Sequence, residues 1–320
     1  MSEFLTGQIL KEYIDNPLMG QEAIIEGLLF KDTINFYYSG PGVGKSVIAV
    51  NMLASMSAGL PVFSMFKMKR PVRCSYMQLE GSKEEQLGRL KEMVLEINAN
   101  FDNIAWHDTP LNVEDKQSLE TNVKQFEEFK PEVIFIDSFY CLTSKGLSKE
   151  DGFLPVRNML KSLKDRTQAT FIILHHSQKD QCEGGIKVVK EDPFLGSQYL
   201  KAFADMMIHF KRAEGEDKVI LNVTKGSRNN EGVKKIVVSF NKQTWVVKAI
   251  ESETHKDAVY LINECIQKRF AKDQIITTLE IEKITGLSKR HIRRVKNDGH
   301  FDHFVSFVEE EGKTTVWIKK

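Results

Sequence analysis

Ser39-Gly40-Pro41-Gly42-Val43-Gly44-Lys45-Ser46 gathers glycines, a lysine and a hydroxyl into one short stretch. Glycines at 40, 42 and 44 let the backbone take conformations that a Cβ forbids, so successive amide N–H groups can point inward at a chain of phosphates. Lys45 can then reach the β- and γ-phosphates of a nucleoside triphosphate, the Ser46 hydroxyl can hold Mg²⁺, and a following helix adds its positive dipole end. The spacing is that of the phosphate-binding loop G-x-x-x-x-G-K-[ST], with Ser39, small enough to keep the turn, in place of the first glycine. The expected cofactors are ATP and Mg²⁺.

Two further acids fit the same chemistry. Pro131-Glu132-Val133-Ile134-Phe135-Ile136-Asp137-Ser138 is an apolar strand ending in a carboxylate. Asp137 at its end is expected to hold the Mg²⁺ hydration shell. Hydrolysis also needs a group that orients the attacking water, and Glu80, at the end of the strand-like run 71–80, is the candidate. Its alternative role is the N-cap acid of the helix beginning at Lys83. The apolar run 171–174 leads into His175-His176-Ser177-Gln178. Neighbours on a strand face opposite ways, which is poor chelate geometry, so His175 or His176 is expected as a polar γ-phosphate sensor rather than a metal ligand. The other reading is a strand-end histidine satisfied by backbone.

The elements that must position these groups alternate. A strand at 33–38 precedes the loop and an apolar helix at 47–58 follows it. After the run 71–80 come a helix at 83–98, a weaker strand at 104–106, a helix at 113–129, a strand at 131–136, a helix at 153–165 and a strand at 169–174. Short, almost wholly apolar strands alternating with helices mean an α/β domain, its mainly parallel sheet flanked by helices on both faces. Residues 1–30 form a helical lead-in with the apolar run Ile24-Ile25-Glu26-Gly27-Leu28-Leu29. After the polar loop 178–193 and a helix at 194–204, strands at 205–211, 218–224 and 234–240 are expected as antiparallel hairpins extending the sheet. This first domain spans 1–250. A second, at 255–320, carries helices at 257–270, 278–285 and 288–296, then two strands turning at Glu310-Glu311-Gly312-Lys313, the pattern of a winged helix. Lys289, Arg290, Arg293, Arg294 and Lys296 make its last helix a basic patch suited to duplex DNA, the alternative being a protein contact. The acids Glu309, Glu310 and Glu311 at the wing tip place any DNA contact on the helix.

The chain's 320 residues, 41% hydrophobic and 28% charged, with a formal net charge of +1, describe a soluble protein large enough for an enzyme core and a small appendage. Any nucleic-acid site must be local. Cys74, Cys141, Cys182 and Cys265 are scattered without a C-x-x-C pair and read as reduced cytosolic thiols. The first residues lack the basic and apolar regions of a signal peptide, and no run is long enough to span a bilayer, so a cytoplasmic location is expected.

Taken together, residues 39–46, Glu80, Val133 to Ser138 and His175-His176-Ser177 resemble the RecA-type ATPase core across residues 22–245. Within that superfamily the lead-in at 24–29 and Gly196-Ser197-Gln198-Tyr199-Leu200-Lys201-Ala202-Phe203-Ala204-Asp205 look like the plasmid RepA-type ring helicases. The resemblance implies a hexameric ring with ATP at subunit interfaces and a basic finger given to the neighbour's γ-phosphate, for which Lys225 and Arg228 in Thr224-Lys225-Gly226-Ser227-Arg228 match. The other reading of that turn is a solvated, charged hairpin. This chain has Leu195 and Lys201 where arginines are common in the family, which leaves Lys201 as a further finger candidate. The loops after Asp137 and His176 would face the channel, with Lys179, Lys187 and Lys190 on the phosphates of single-stranded DNA. Asp180, Glu183, Glu191 and Asp192 lie among those lysines, and a plain surface loop is the alternative. The implied function is an ATP-dependent DNA helicase or translocase in the replication of a plasmid, phage or other mobile element, working with an initiator or loader protein. Alternatives are a DNA-stimulated recombination or loading ATPase without processive unwinding, an ATP-switched DNA-binding regulator, and a small-molecule kinase.

Overall fold

The computed structural model describes residues 7, 22–147, 150–177, 181–183, 186–188, 198–213, 217–226, 233–254, 258–272, 274–285, 292–293, 296, 301, 305–309 and 315–319. The chain divides into two compact units, Met1–Ser252 and Glu253–Lys320.

In the first unit a short hairpin, β1 (Ala23–Ile25) with β2 (Leu29–Phe30), precedes β3 (Ile34–Ser39) and helix α1 (Lys45–Ala58). Then follow β4 (Cys74–Gln78), α2 (Lys83–Ile97), β5 (Ile104–His107), α3 (Lys116–Phe129), β6 (Val133–Asp137), α4 (Glu150–Thr167) and β7 (Thr170–His176). β8 (Gln181–Glu183) and β9 (Ile186–Val188) pair as a small hairpin. The unit closes with α5 (Gln198–Phe203), β10 (Met206–Arg212), β11 (Lys218–Lys225), β12 (Val233–Phe240) and β13 (Val247–Thr254).

Among the described residues, nine strands form one sheet in the order β13-β12-β11-β10-β3-β7-β6-β4-β5. From β10 to β5 every pairing is parallel, and β11 runs antiparallel to β10 and β12. β7 therefore lies between the strand that feeds the phosphate loop and the strand that ends in Asp137. Alternation fills two cores. Tyr37, Phe135, Ile172 and Leu174 face α1, which is buried along nearly its whole length. Phe36, Tyr38, Ile134, Ile136, Phe171 and Ile173 face the other side with Phe126, Phe153 and Leu160. Strands apolar on both faces are what a helix-covered parallel sheet requires. Gly59 ends α1 at φ 69, and a Cβ there would lie 2.7 Å from the Pro71 nitrogen, so this stop accepts no other residue without displacing the chain.

The second unit contains α6 (Ala258–Arg269), β14 (Ile275–Thr277), α7 (Thr278–Thr285), β15 (Val305–Glu309) and β16 (Thr315–Lys319), with sheet order β14-β16-β15. β14, three residues long and absent from the sequence pattern, pairs antiparallel with β16. Thr277 and Glu280 cap α7 reciprocally: the Glu280 N–H donates to Thr277 Oγ1 at 3.2 Å, and the Thr277 N–H donates to Glu280 Oε2 at 2.7 Å. Ile262, Ile266, Ile276, Ile281, Ile292, Phe301 and Trp317 form its core. Of the basic patch, Arg293 is exposed and Lys296 half-buried, while Lys289, Arg290 and Arg294 lie outside the described residues, as do Glu310 and Glu311 at the wing tip.

Candidate active site

The phosphate loop bends where its glycines allow. Gly42 at φ 71 and Gly44 at φ 108 are left-handed, and a Cβ on Gly44 would meet the Phe240 ring at 3.0 Å. Gly40 is different. Its φ is not left-handed, and a Cβ there would have Ser177 Oγ as its nearest neighbour at 3.8 Å, so only two of the three glycines are required by backbone geometry. Ser39, the departure from the motif, is fully buried and useful: its hydroxyl donates to the Gly40 carbonyl at 2.8 Å and accepts from Lys45 Nζ at 3.2 Å. Lys45 also donates to the carbonyls of Ser39 and Gly40, both at 3.3 Å. Burial pushes its ammonium below the usual lysine range, and Asp137 and Glu80 pull the other way.

Asp137 is buried at the end of β6. It accepts the Tyr76 hydroxyl at 2.6 Å and is hydrogen-bonded by the Ser46 side chain. Burial pushes its carboxyl above the usual carboxylate range, opposed by those two bonds. The phenol of Tyr76, stacked on Trp106 at 4.4 Å, is pushed well up by burial and by Asp137. A hydroxyl and a carboxylate in direct contact at the foot of the phosphate loop are hard oxygen donors that fit Mg²⁺, an ion that keeps several waters and takes few protein ligands. Among the described residues no group of three or more His, Cys, Asp or Glu offers a metal cage.

Glu80 lies two residues beyond β4 rather than at its end. The capping role is taken by Ser82, whose hydroxyl accepts the Glu85 N–H at 3.3 Å. Glu80 instead turns its carboxylate toward β6 and β7, where Oε2 accepts from Ser138 Oγ at 2.7 Å and Oε1 lies 3.2 Å from His176 Nε2. The His176 bond, ahead of the opposing effect of burial, holds its carboxyl below the usual range. Strand alternation separates the two histidines. His176 reaches Glu80; His175 is buried between Phe36 and Phe139, in edge contact with both, which corrects the expectation that it faces the nucleotide.

A cleft of about 640 Å³ runs from these groups to a second wall made by Phe240, Trp245, Arg89 and Arg212. Arg212 Nη2 donates to the Gly42 carbonyl at 2.7 Å, and the Arg89 guanidinium sits 5.0 Å from the Trp245 ring centre. Asp217 and Lys242 form an ion pair of 2.9 Å at the rim. Flat aromatic faces beside cations can take a nucleobase by stacking. Sequence reasoning missed this wall, and also Tyr76 and Ser138. Phe240, at the end of a strand, and Trp245, shortly after it, carry an aromatic signal, but only the sheet order brings them to the loop.

The finger candidates fare differently. Lys225 Nζ donates to the carbonyls of Lys201 at 2.7 Å and Ala202 at 3.4 Å, and to that of Ala204, so in this structure it caps the C-terminus of α5 instead of projecting from the turn. Lys201 is half-buried in that helix, and Arg228 lies outside the described residues. Lys179 and Lys190 also lie outside them, and Lys187 is placed only as backbone in β9.

Comparison with known proteins gives a consistent picture. The model of the family described as AAA domain matches residues 6–182, more than half of the chain. Two solved structures superpose with a TM-score of 0.54 at 16% identity: the ATPase domain of G40P, over 76% of this chain and 96% of that one, and a DnaB-like replicative helicase solved with attention to its interactions with primase, over 76% and 67%. At that identity the likeness is one of fold, that of a RecA-like ATPase core. No curated protein matches by sequence.

Proposed function

This chain belongs to the AAA domain family, and we propose that it is an Mg²⁺- and ATP-dependent DNA helicase or translocase that works as a ring in the replication of a plasmid, phage or other mobile element. The observation that carries the catalytic part is the grouping of Lys45, the Ser46–Asp137 pair and the Glu80 carboxylate around one phosphate loop. Phosphoryl transfer needs positioning and charge stabilisation more than covalent chemistry. Lys45 neutralises the β- and γ-phosphates. Ser46 and Asp137 would hold Mg²⁺, which would supply further positive charge to the phosphate oxygens. Glu80 orients and deprotonates the water, and the Phe240 and Trp245 wall takes the base.

Strand direction supports action between subunits. β10 runs parallel to β3, so β11 runs back from the cleft; Lys225 is level with Met207, and Met207 with Phe36, below the phosphate loop. β11 therefore ends at the opposite end of the sheet from its own phosphate loop. A cation carried on the turn after it suits a neighbour's γ-phosphate, and Arg228 is our choice for that finger. In the second unit, α6, α7 and the strands β14-β16-β15 suit a winged helix that offers residues 288–296 to duplex DNA or to an initiator or loader protein.

Steady-state ATP hydrolysis with and without single-stranded DNA, beside forked-duplex unwinding, tests the reading. Lys45→Ala and Glu80→Gln should each lower kcat by about 100- to 10,000-fold, and single-stranded DNA should stimulate the wild type. Stimulated hydrolysis without strand separation would favour a loading or recombination ATPase. Hydrolysis indifferent to DNA would remove the motor altogether.

A further inference from the structure

We propose that Ser138 is a positioning residue that sets the catalytic rotamer of Glu80, an assignment that rests on reading Glu80 as the group that activates water. Glu80 is carried on a loop. Gly81, the next residue, is left-handed at φ 81, and the Glu80 side chain is 40% exposed, so the backbone alone leaves the carboxylate several rotamers. Two donors hold it, one at each oxygen: Ser138 Oγ at 2.7 Å from Oε2 and His176 Nε2 at 3.2 Å from Oε1. They differ in their footing. The His176 side chain is 31% exposed and, as a neutral ring, donates from Nε2 in only one tautomer, whereas Ser138 is fully buried and its hydroxyl makes the shorter bond.

Register explains why Ser138 is the residue in reach. Gln78 of β4 pairs with Asp137 of β6, and the Leu79 N–H donates to the Asp137 carbonyl at 2.6 Å, which carries the ladder one step past the strand. Glu80 then arrives beside Ser138. The residue after the magnesium-binding acid thus grips the water-activating acid, and the same short segment fixes both carboxylates relative to each other. Cys141 Sγ, 3.9 Å from the same Oε2, is too long and too weak a donor to replace it.

The test is a double-mutant cycle on ATP hydrolysis, with ADP affinity measured on each variant as a check of the folded site. Ser138→Ala should lower kcat about tenfold or more while KM for ATP stays within about twofold, and Ser138→Thr, which keeps the hydroxyl, should restore most of the loss. In a Glu80→Gln background Ser138→Ala should add little further, because its effect passes through the carboxylate already removed. A Ser138→Ala enzyme with wild-type kcat, or losses that multiply in the double variant, would overturn the proposal while leaving Glu80 in place. A Glu80→Gln enzyme that still hydrolyses ATP at the wild-type rate would overturn the underlying reading itself.

Discussion

The two walls of the cleft handle charge in opposite ways. On the side of β6 and β7 the charged groups are buried or half-buried and each is held: Asp137 by Tyr76 and Ser46, Glu80 by Ser138 and His176, Lys45 by three oxygens of its own loop. On the side of β11 to β13 the wall is aromatic, its Asp217–Lys242 pair is largely solvated, and Arg89 rests on a ring. Buried charges interact strongly and are costly to leave unmatched, so the first wall permits little displacement. Stacking tolerates sliding and change of partner, so the second wall can hold a base without fixing the reaction coordinate. On the proposed function, geometry is enforced where the phosphate bond would break and relaxed where the base would be held.

This contrast can be broken or sharpened by substitution. The largest effect belongs to the first wall. His176→Ala should lower kcat roughly tenfold through the loss of one grip on Glu80, and should also move the acid limb of the pH–rate profile. The sign follows from the cause. The His176 bond is the main reason the Glu80 carboxyl sits below its ordinary 4.5, and on the proposed function the carboxylate is the active form, so removing the bond should raise that pKa and make activity fail at higher pH than in the wild type. An unmoved acid limb would mean that some other donor governs Glu80. On the second wall, Trp245→Ala should raise KM for ATP by about tenfold and leave kcat within about twofold, as expected for binding energy shared by ground and transition states. A kcat loss there matching that of His176→Ala would erase the distinction between the walls. Lys242→Ala should be the mildest: with side chains 64% and 46% exposed, the ion pair to Asp217 contributes little, and both constants should change by less than about twofold at physiological salt.

Legibility in the sequence follows the same division. The phosphate loop, the apolar strand ending in Asp137 and three of the four strands that extend the sheet, β10 to β12 but not β13, can be read because each is a local pattern: loop chemistry, a buried run, alternation between turns. Glu80 is legible, but its company is not. That β7 lies between β3 and β6 is a property of sheet order, which no window of sequence contains, and with it comes the contact between His176 and Glu80. The choice between His175 and His176 turns on which face of β7 looks toward the cleft, a question alternation poses without answering. Ser82-Lys83-Glu84-Glu85 does carry a capping signature, and it is enough to free Glu80 from the N-cap role. Lys225 departs from its sequence reading because its partners, the carbonyls at the end of α5, lie in a different element, and sequence shows a cation's charge but not what it satisfies.

β11 has a mechanical side. It begins beside the base wall, where Asp217 and Val219 line the cleft, and ends at Lys225, clamped to the end of α5. Eight residues of paired strand, about 26 Å long, make a strut that is stiff along its axis. It ties the cleft wall at one end of the sheet to the C-terminus of α5 at the other.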